Sequence, residues 1–259
     1  MSLMVLRSRW HVWVLLLLSA SRAAAAQPAS EPACAPQCSL PERAAYAREH
    51  FGQGLEAYET GRLVAAREHF AQTARWAPDW GLAYLHWGVT ELALDPDAAA
   101  GLKHLKKAVA LAPNNARAHH ALGRALGHRG QTSAGIAALK RCLALRPELT
   151  KAHFDLARLQ QRSGHLSAAI ARYETLLQHA PEHTGALAAL ATLYERKERF
   201  SKAASALERI AQLQPEVAYH QYRLAEFYSR IGASDKAAAA YAKAERLDPR
   251  NRRQMRELR

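Results

Sequence analysis

The sequence lacks the residue patterns that most enzymes and metal proteins require. Its three cysteines, Cys34, Cys38 and Cys142, form neither a Cys-x-x-Cys-His haem motif nor paired Cys-x-x-Cys zinc motifs, and its thirteen histidines show no zinc-like spacing. A His-Glu-x-x-His pair, a Gly-x-Ser-x-Gly elbow, a Walker-type loop and a Gly-x-Gly-x-x-Gly loop are all missing. These absences predict a protein that is not an enzyme and that uses no cofactor or metal.

Long apolar runs are also scarce, and the one present lies at the start of the chain. Arg7 and Arg9 precede an apolar run at 12–20, and small residues follow up to Ala26. This order is typical of a secretory signal peptide over residues 1–26, and the run is short for a membrane span. We therefore expect cleavage after Ala26 and a periplasmic or secreted bacterial protein. The alternative is an uncleaved anchor, which would be the only link to a membrane.

Residues 27–40 form a Pro/Ala-rich linker that carries Cys34 and Cys38. In an oxidising compartment these two cysteines could close a small disulfide. A lipid-modified Cys34 is disfavoured, because Glu31-Pro32-Ala33 is not a lipobox. Cys142 lies at a packing position further along the chain and is predicted to be a buried free thiol.

The rest of the chain repeats itself. Its prolines recur at spacings of 35, 34, 34, 34 and 34 residues, at Pro78, Pro113, Pro147, Pro181, Pro215 and Pro249. Proline ends a helix, and the mid-repeat glycines Gly61, Gly130, Gly164 and Gly232 suit a tight turn between two helices. Small pairs such as Gly123 and Gly135 allow close helix crossing. A fixed period of this length predicts stacked helical hairpins.

The pattern resembles the tetratricopeptide repeat (TPR) family, and the last copy carries it at Leu224-Ala225, Tyr228, Gly232, Ala237, Tyr241, Ala244 and Pro249. The resemblance implies an all-α, right-handed TPR solenoid over residues 41–251. We place its six repeats at about 47–80, 81–115, 116–149, 150–183, 184–217 and 218–251. A short basic capping helix or tail is expected at 252–259. The recurring aromatic residues, and His119 with His153, are predicted to pack inside the repeats.

The formal charge is +13, and loss of Arg7, Arg9 and Arg22 with the signal peptide would leave +10. In the TPR family the first helix of each hairpin lines a concave surface. Residues counted onto that surface in repeats 3 and 4 are predicted to form a basic peptide-binding stripe: Arg117, His120, Arg124, Lys151, Phe154, Arg158 and Arg162. Repeats 1 and 2 offer apolar residues there. Arginine pairs well with carboxylates, so the expected partner is an acidic segment or C-terminal peptide of another protein.

Other functions stay open at this stage. A basic helical-repeat protein can bind RNA or another polyanion, although export and the lack of a repeated base-reading pair make nucleic acid a less favoured partner. A polysaccharide- or peptidoglycan-binding TPR protein is a third possibility, with Tyr219 and Tyr222 as its only hint. The preferred hypothesis is a binding scaffold of the bacterial envelope. Pilus and secretin assembly factors are one analogy within the family, and the sequence does not name the pathway, partner or oligomeric state.

Overall fold

A computed structural model describes residues 39–249 of the chain. These residues form twelve α-helices and no strand, so the predicted all-α fold is confirmed. The helices are α1 Leu40–Glu59, α2 Leu63–Trp76, α3 Gly81–Leu94, α4 Ala99–Leu111, α5 Ala116–His128, α6 Thr132–Leu145, α7 Thr150–Arg162, α8 Leu166–His179, α9 Thr184–Arg196, α10 Phe200–Leu213, α11 Ala218–Arg230 and α12 Ser234–Leu247.

The chain divides into two compact units, Met1–Arg43 and Ala44–Arg259. From α3 onward each odd-numbered helix packs on the even-numbered helix that follows it. α1 meets α2 in the same way, through His50 with His69 and Gly54 with Phe70. This gives six hairpins, called repeats 1–6 below. Each hairpin then packs on the next through its second helix. This serial pairing is typical of the TPR solenoid.

The signal peptide, Cys34 and Cys38, and the tail at 252–259 lie outside the described residues. The first helix begins at Leu40, at the end of the predicted linker, where the Ser39 backbone N–H donates to Glu42 Oε2 at 2.8 Å. Every helix among residues 39–249 is too short or too polar to span a bilayer.

The turns inside repeats 1, 3, 4 and 6 follow the sequence prediction, and the turn of repeat 5 has the same conformation with a different residue. Gly61, Gly130, Gly164 and Gly232 have φ between 73° and 80°, a conformation that costs glycine little. The same position in repeat 5 is held by Glu198, at φ 57°. A side chain is disfavoured there, because its Cβ crowds the following carbonyl oxygen. Repeat 5 therefore keeps the shared turn at a conformational cost.

The two helices of a hairpin cross at small residues. A Cβ added to Gly123 would lie 2.6 Å from Leu139 Cγ and 3.1 Å from the carbonyl oxygen of Gly135. Leu139 itself is buried. The periodic prolines all lie outside the helices, either between hairpins or just after α12. The sequence rules for where helices cross and where they end are both confirmed.

Equivalent residues make equivalent contacts. His119 Nε2 donates to the carbonyl oxygen of Pro113 at 2.9 Å, and His153 Nε2 donates to that of Pro147 at 2.7 Å. Because both rings are also buried, these histidines are packing residues, as predicted. Cys142 is a fully buried free thiol, and burial raises its pKa to about 11.

Tyrosines link the later repeats in the same periodic way. The Tyr194 hydroxyl donates to Glu174 Oε1 at 2.6 Å, and the Tyr228 hydroxyl donates to Glu208. The ammonium groups of Lys202 and Lys236 lie 5.4 and 5.3 Å from the centres of the two rings. We call this arrangement the Tyr–Glu–Lys contact. It joins repeat 4 to repeat 5 and repeat 5 to repeat 6.

Candidate functional site

A hollow of about 410 Å³ opens on the inner wall, the surface built by the first helices of the repeats. We call it the central hollow. One side is apolar and includes Tyr58 of α1 with Val89 and Leu92 of α3. The opposite side carries arginine guanidinium groups from α5 and α7, which are Arg124, Arg158 and Arg162. The site therefore combines an apolar wall with a cationic wall.

An aspartate that the sequence analysis did not select organises the cationic wall. Asp155 also lines the central hollow, and its side chain is only 15% exposed. His120 Nε2 donates to Asp155 Oδ2 at 2.8 Å, so one carboxylate links repeat 3 to repeat 4. Charge-assisted hydrogen bonds of this kind are among the stronger ones in proteins.

The same carboxylate lies between the two central arginines. Arg124 Nε is 3.6 Å from Asp155 Oδ2, and Arg158 Nη2 is 3.7 Å from Asp155 Oδ1. Both arginine side chains stay about 60% exposed, with relative exposures of 62% and 59%. Each guanidinium has five N–H donors, so most of them face the hollow and solvent. The three arginines outnumber the single aspartate, and the hollow keeps an excess of positive charge.

The predicted stripe is thus only partly assembled. Arg124, Arg158 and Arg162 line the central hollow, and His120 supports it from behind through Asp155. Arg117 and Lys151 are exposed but are not among the residues that line it. Arg117 instead lies near His86, whose pKa is lowered by burial and then by this charge. The hollow draws its cations from the C-terminal parts of α5 and α7.

Phe154 packs against neighbouring rings and is not among the residues that line the central hollow. Its half-buried ring lies 5.0 Å from the His183 ring and 5.7 Å from the Tyr173 ring, measured between centroids. It also approaches the backbone of Gly185, where an added Cβ would lie 3.4 Å from the ring. The contact joins repeat 4 to repeat 5. Counting residues around α7 placed Phe154 on the correct helix face. It could not show that the ring would pack on a residue of the next repeat.

A second hollow, of about 480 Å³, lies on the inner wall of repeats 5 and 6, and we call it the C-terminal hollow. The positions of Arg124 and Arg158 are held here by Thr192 and Glu226, which both line it. Glu195 is again 15% exposed, and Arg230 Nη2 donates to its Oε2 at 2.5 Å. Acidic and basic groups balance in this hollow, whereas cations dominate the central one.

Metal binding has no support in the described part of the chain. Residues 39–249 contain no group of three or more His, Cys, Asp or Glu side chains that could hold a metal ion. The closest histidine pair, His50 and His69, shares one contact of 3.3 Å between Nδ1 atoms. Burial, followed by the nearby His50, lowers the pKa of His69.

Family models support the assignment of the repeats. Three models described as tetratricopeptide repeat match this chain, one at residues 128–193 and 162–221, one at 104–137 and one at 221–251. Together they span 104–251, so repeats 1 and 2 rest on the structure and on the proline period. A comparison with curated protein sequences gave no significant match.

Solved structures of similar fold are TPR proteins of low identity. A MamA protein is 22% identical, with a TM-score of 0.60 over 66% of this chain and 93% of MamA. PilF of Pseudomonas aeruginosa is 16% identical, with a TM-score of 0.66 over 84% of this chain and all of PilF. YrrB, described as a TPR protein with an unusual peptide-binding site, is 19% identical, with a TM-score of 0.56 over 64% of this chain and 85% of YrrB.

The likeness to these structures shows the fold, and the family models match the chain from repeat 3 to repeat 6. TPR domains bind other proteins, which agrees with the open inner wall described above. This chain therefore belongs to the tetratricopeptide repeat family.

Proposed function

We propose that this protein is a non-enzymatic adaptor that binds an acidic or C-terminal segment of another protein in the central hollow. The observation that carries the proposal is the convergence of Arg124, Arg158 and Arg162 opposite an apolar wall. A carboxylate of the partner would meet the guanidinium N–H groups that Asp155 leaves free, because arginine can hold a carboxylate by two hydrogen bonds. An apolar side chain next to it would pack on Val89 and Leu92.

The pre-arranged arginines support this reading. A long side chain usually loses rotamer freedom when it binds, and that loss weakens the interaction. Here Asp155 restrains Arg124 and Arg158 through contacts within the protein itself. A basic concave wall also concentrates acidic partners near the site and raises the rate of encounter.

We place this activity in the bacterial envelope, either in the periplasm or outside the cell. The support is the order of basic, apolar and small residues over 1–26, which is typical of a cleaved signal peptide. Assembly of a pilus, secretin or other envelope complex is one role that suits an exported TPR adaptor. Cell fractionation followed by N-terminal sequencing tests the location, and an intact residue 1–26 segment in the cytosol would contradict it.

The test of binding uses the double variant Arg124→Glu with Arg158→Glu. Fluorescence anisotropy would follow a labelled peptide with acidic and leucine side chains, beside the same peptide with amides in place of the acids. We expect the double variant to lose at least about tenfold in affinity for the acidic peptide, since each charged contact is worth about 1 kcal/mol or more. Circular dichroism and thermal unfolding should stay close to those of the unmodified protein.

The matched control is Arg196→Glu with Arg209→Glu, which makes the same change of charge at exposed positions that do not line the central hollow. Its affinity should change less than about threefold, an effect of long-range charge alone. Equal losses in both double variants would contradict a defined site. Tighter binding of RNA than of the acidic peptide, with the same dependence on Arg124 and Arg158, would favour the polyanion alternative.

A further inference from the structure

Two neighbouring second helices, α4 and α6, carry several cations and no acidic residue. The cations are exposed, and we call them together the cationic face: Lys103, Lys106, Lys107, Lys140 and Arg141. The other second helices, α2, α8, α10 and α12, each contain at least one acidic residue. The cationic face is therefore a local feature of repeats 2 and 3.

The repeat register shows that two of these cations, Lys106 and Lys140, lack the role of their equivalents in later repeats. Lys106 and Lys140 occupy the position that Glu174 and Glu208 hold in later repeats, where the carboxylates accept hydrogen bonds from tyrosines. Tyr194 and Tyr228 have as their equivalents Leu126 in repeat 3 and Gln160 in repeat 4. Neither residue has a hydroxyl group, so neither can make the tyrosine contact. The lysines consequently have no equivalent role in joining repeats.

Local partners do not neutralise the cationic face. Lys107 lies 5.8 Å from the centre of the Tyr84 ring, and Arg141 donates to Asn114 Oδ1 at 3.2 Å. Both partners are uncharged. The nearest acids along the chain are Asp95 and Asp97 in the turn before α4, where Asp97 Oδ1 lies 3.6 Å from His128 Nδ1, and Glu148 in the loop after α6. Five positive charges therefore stay available at this surface.

The residue types decide between classes of polyanion. Four of the five cations are lysines, which act as mobile point charges and suit a diffuse surface of phosphate groups better than two-point recognition. Neither helix contains Phe, Trp or Tyr, and the ring of the one histidine, His104, is stacked on Trp87, so these helices offer no free ring to an unpaired nucleic-acid base. The exposed residues beside the cations include the small Ala110, Ala137 and Ala144, which leave room for a broad surface to approach.

We propose that the cationic face binds the surface of a bilayer that contains anionic phospholipids. Clusters of four to eight lysines and arginines on a helical surface are typical of such binding. The face lies on second helices and the central hollow lies mainly on first helices, so one molecule could use both. An adaptor could then hold a protein segment while it rests on a membrane. This proposal does not depend on the proposed function.

The test is vesicle co-sedimentation of the full chain. One set of vesicles contains phosphatidylcholine alone, and in the other part of the lipid is replaced by phosphatidylglycerol. The test variant changes all five residues of the cationic face to Gln. The matched control changes five exposed cations of repeats 5 and 6 to Gln: Arg196, Lys197, Arg199, Arg209 and Lys243. Both variants keep residues 1–26, so any binding through that segment is equal in all samples.

We expect the unmodified protein to prefer the anionic vesicles and to dissociate as salt is added. The cationic-face variant should bind them at least about tenfold more weakly, and the control should lose much less. Equal binding to the two kinds of vesicle would overturn the proposal, as would equal losses in the two variants. Tighter binding to RNA with the same lysine dependence would overturn it in favour of a nucleic acid.

Discussion

The repeats before and after the middle of the array use charged residues in different ways. At the junctions of repeats 4, 5 and 6, Glu174 and Glu208 accept hydrogen bonds from tyrosines of the next repeat. At the junctions of repeats 2, 3 and 4, the same positions hold Lys106 and Lys140, exposed to solvent. At the C-terminal junctions the charged side chains thus join one repeat to the next. At the central junctions the charged side chains face solvent, where other molecules can reach them.

The inner wall shows the same contrast. Asp155 gathers His120, Arg124 and Arg158 from repeats 3 and 4 and leaves arginine N–H groups facing the central hollow. Glu195 in repeat 5 pairs with Arg230, and its Oε1 is buried without a hydrogen-bond partner among residues 39–249. Repeats with the same backbone can therefore form a candidate binding surface in repeats 3 and 4 and a mainly structural surface in repeats 5 and 6. This is possible because solenoid repeats contact only their neighbours.

The largest effect on stability should come from replacing Glu208, at the junction of repeats 5 and 6, with the lysine that repeats 2 and 3 have at the equivalent position. Glu208→Lys removes the acceptor of the Tyr228 hydroxyl and places a cation near Lys236. We expect the free energy of unfolding to fall by about 2 kcal/mol, since hydrogen bonds to charged groups are worth about 1.5–3 kcal/mol. Urea unfolding followed by circular dichroism measures it. Exposed Glu216→Lys is the charge-matched control, and a loss as large in that variant would contradict the role of the contact.

Asp155→Asn tests how the central hollow is organised. We expect affinity for the acidic peptide to fall by about tenfold, because Arg124 and Arg158 lose the charge that restrains them. Simple electrostatics predicts the opposite sign, since the variant makes the hollow more positive. The anisotropy assay above measures it, with Glu195→Gln as the control in the C-terminal hollow. Tighter binding by Asp155→Asn would show that the aspartate competes with the ligand instead of arranging the site.

High pH should weaken the C-terminal junctions. Burial, followed by the hydrogen bond to Glu208, raises the pKa of Tyr228 to about 12 from its ordinary value of 10.0. The folded-state pKa is raised, so this stabilisation is complete below pH 10 and is lost as the pH rises toward 12. Urea unfolding over that range should show a decline that is smaller in Tyr228→Phe. The same slope in both proteins would assign the decline to other groups.

The smallest effect concerns the hairpin turn of repeat 5. Glu198→Gly gives this turn the residue that repeats 3 and 4 have at the same place, and it should relieve the cost of φ 57°. We expect a gain of about 0.5–1 kcal/mol in the free energy of unfolding. Gly164→Ala in repeat 4 is the reciprocal change and should lose a similar amount. A loss of stability in Glu198→Gly would contradict this reading of the turn.

Much of the fold was predictable because its signals are local. Proline ends a helix wherever it occurs, and glycine at positive φ forms the turn without help from distant residues. The helix pairs, their crossing points and the packing roles of His119 and Cys142 follow from the repeat period for the same reason. The predicted leader, linker cysteines and C-terminal cap fall outside residues 39–249 and stay predictions.

The candidate site was harder to predict than the fold, although helical periodicity alone predicted part of it. Counting around the first helices placed Arg124, Arg158 and Arg162 on one wall, since helical period fixes which face a residue occupies. It missed Asp155, although the i, i+3 spacing to Arg158 was a usable signal. It also placed Phe154 in the peptide-binding stripe; the ring packs on His183 of the next repeat and does not line the central hollow.

By itself, the sequence determined the period, the helices, the turns and the face on which each charge lies, because these depend on neighbours within one hairpin. Only the tertiary structure decided which charges meet. The carboxylate of Asp155 reaches His120 and Arg124 across a repeat boundary, and Glu208 reaches Tyr228 across another. Such contacts depend on how one hairpin packs on the next, and that packing sets which side chains come within bonding distance.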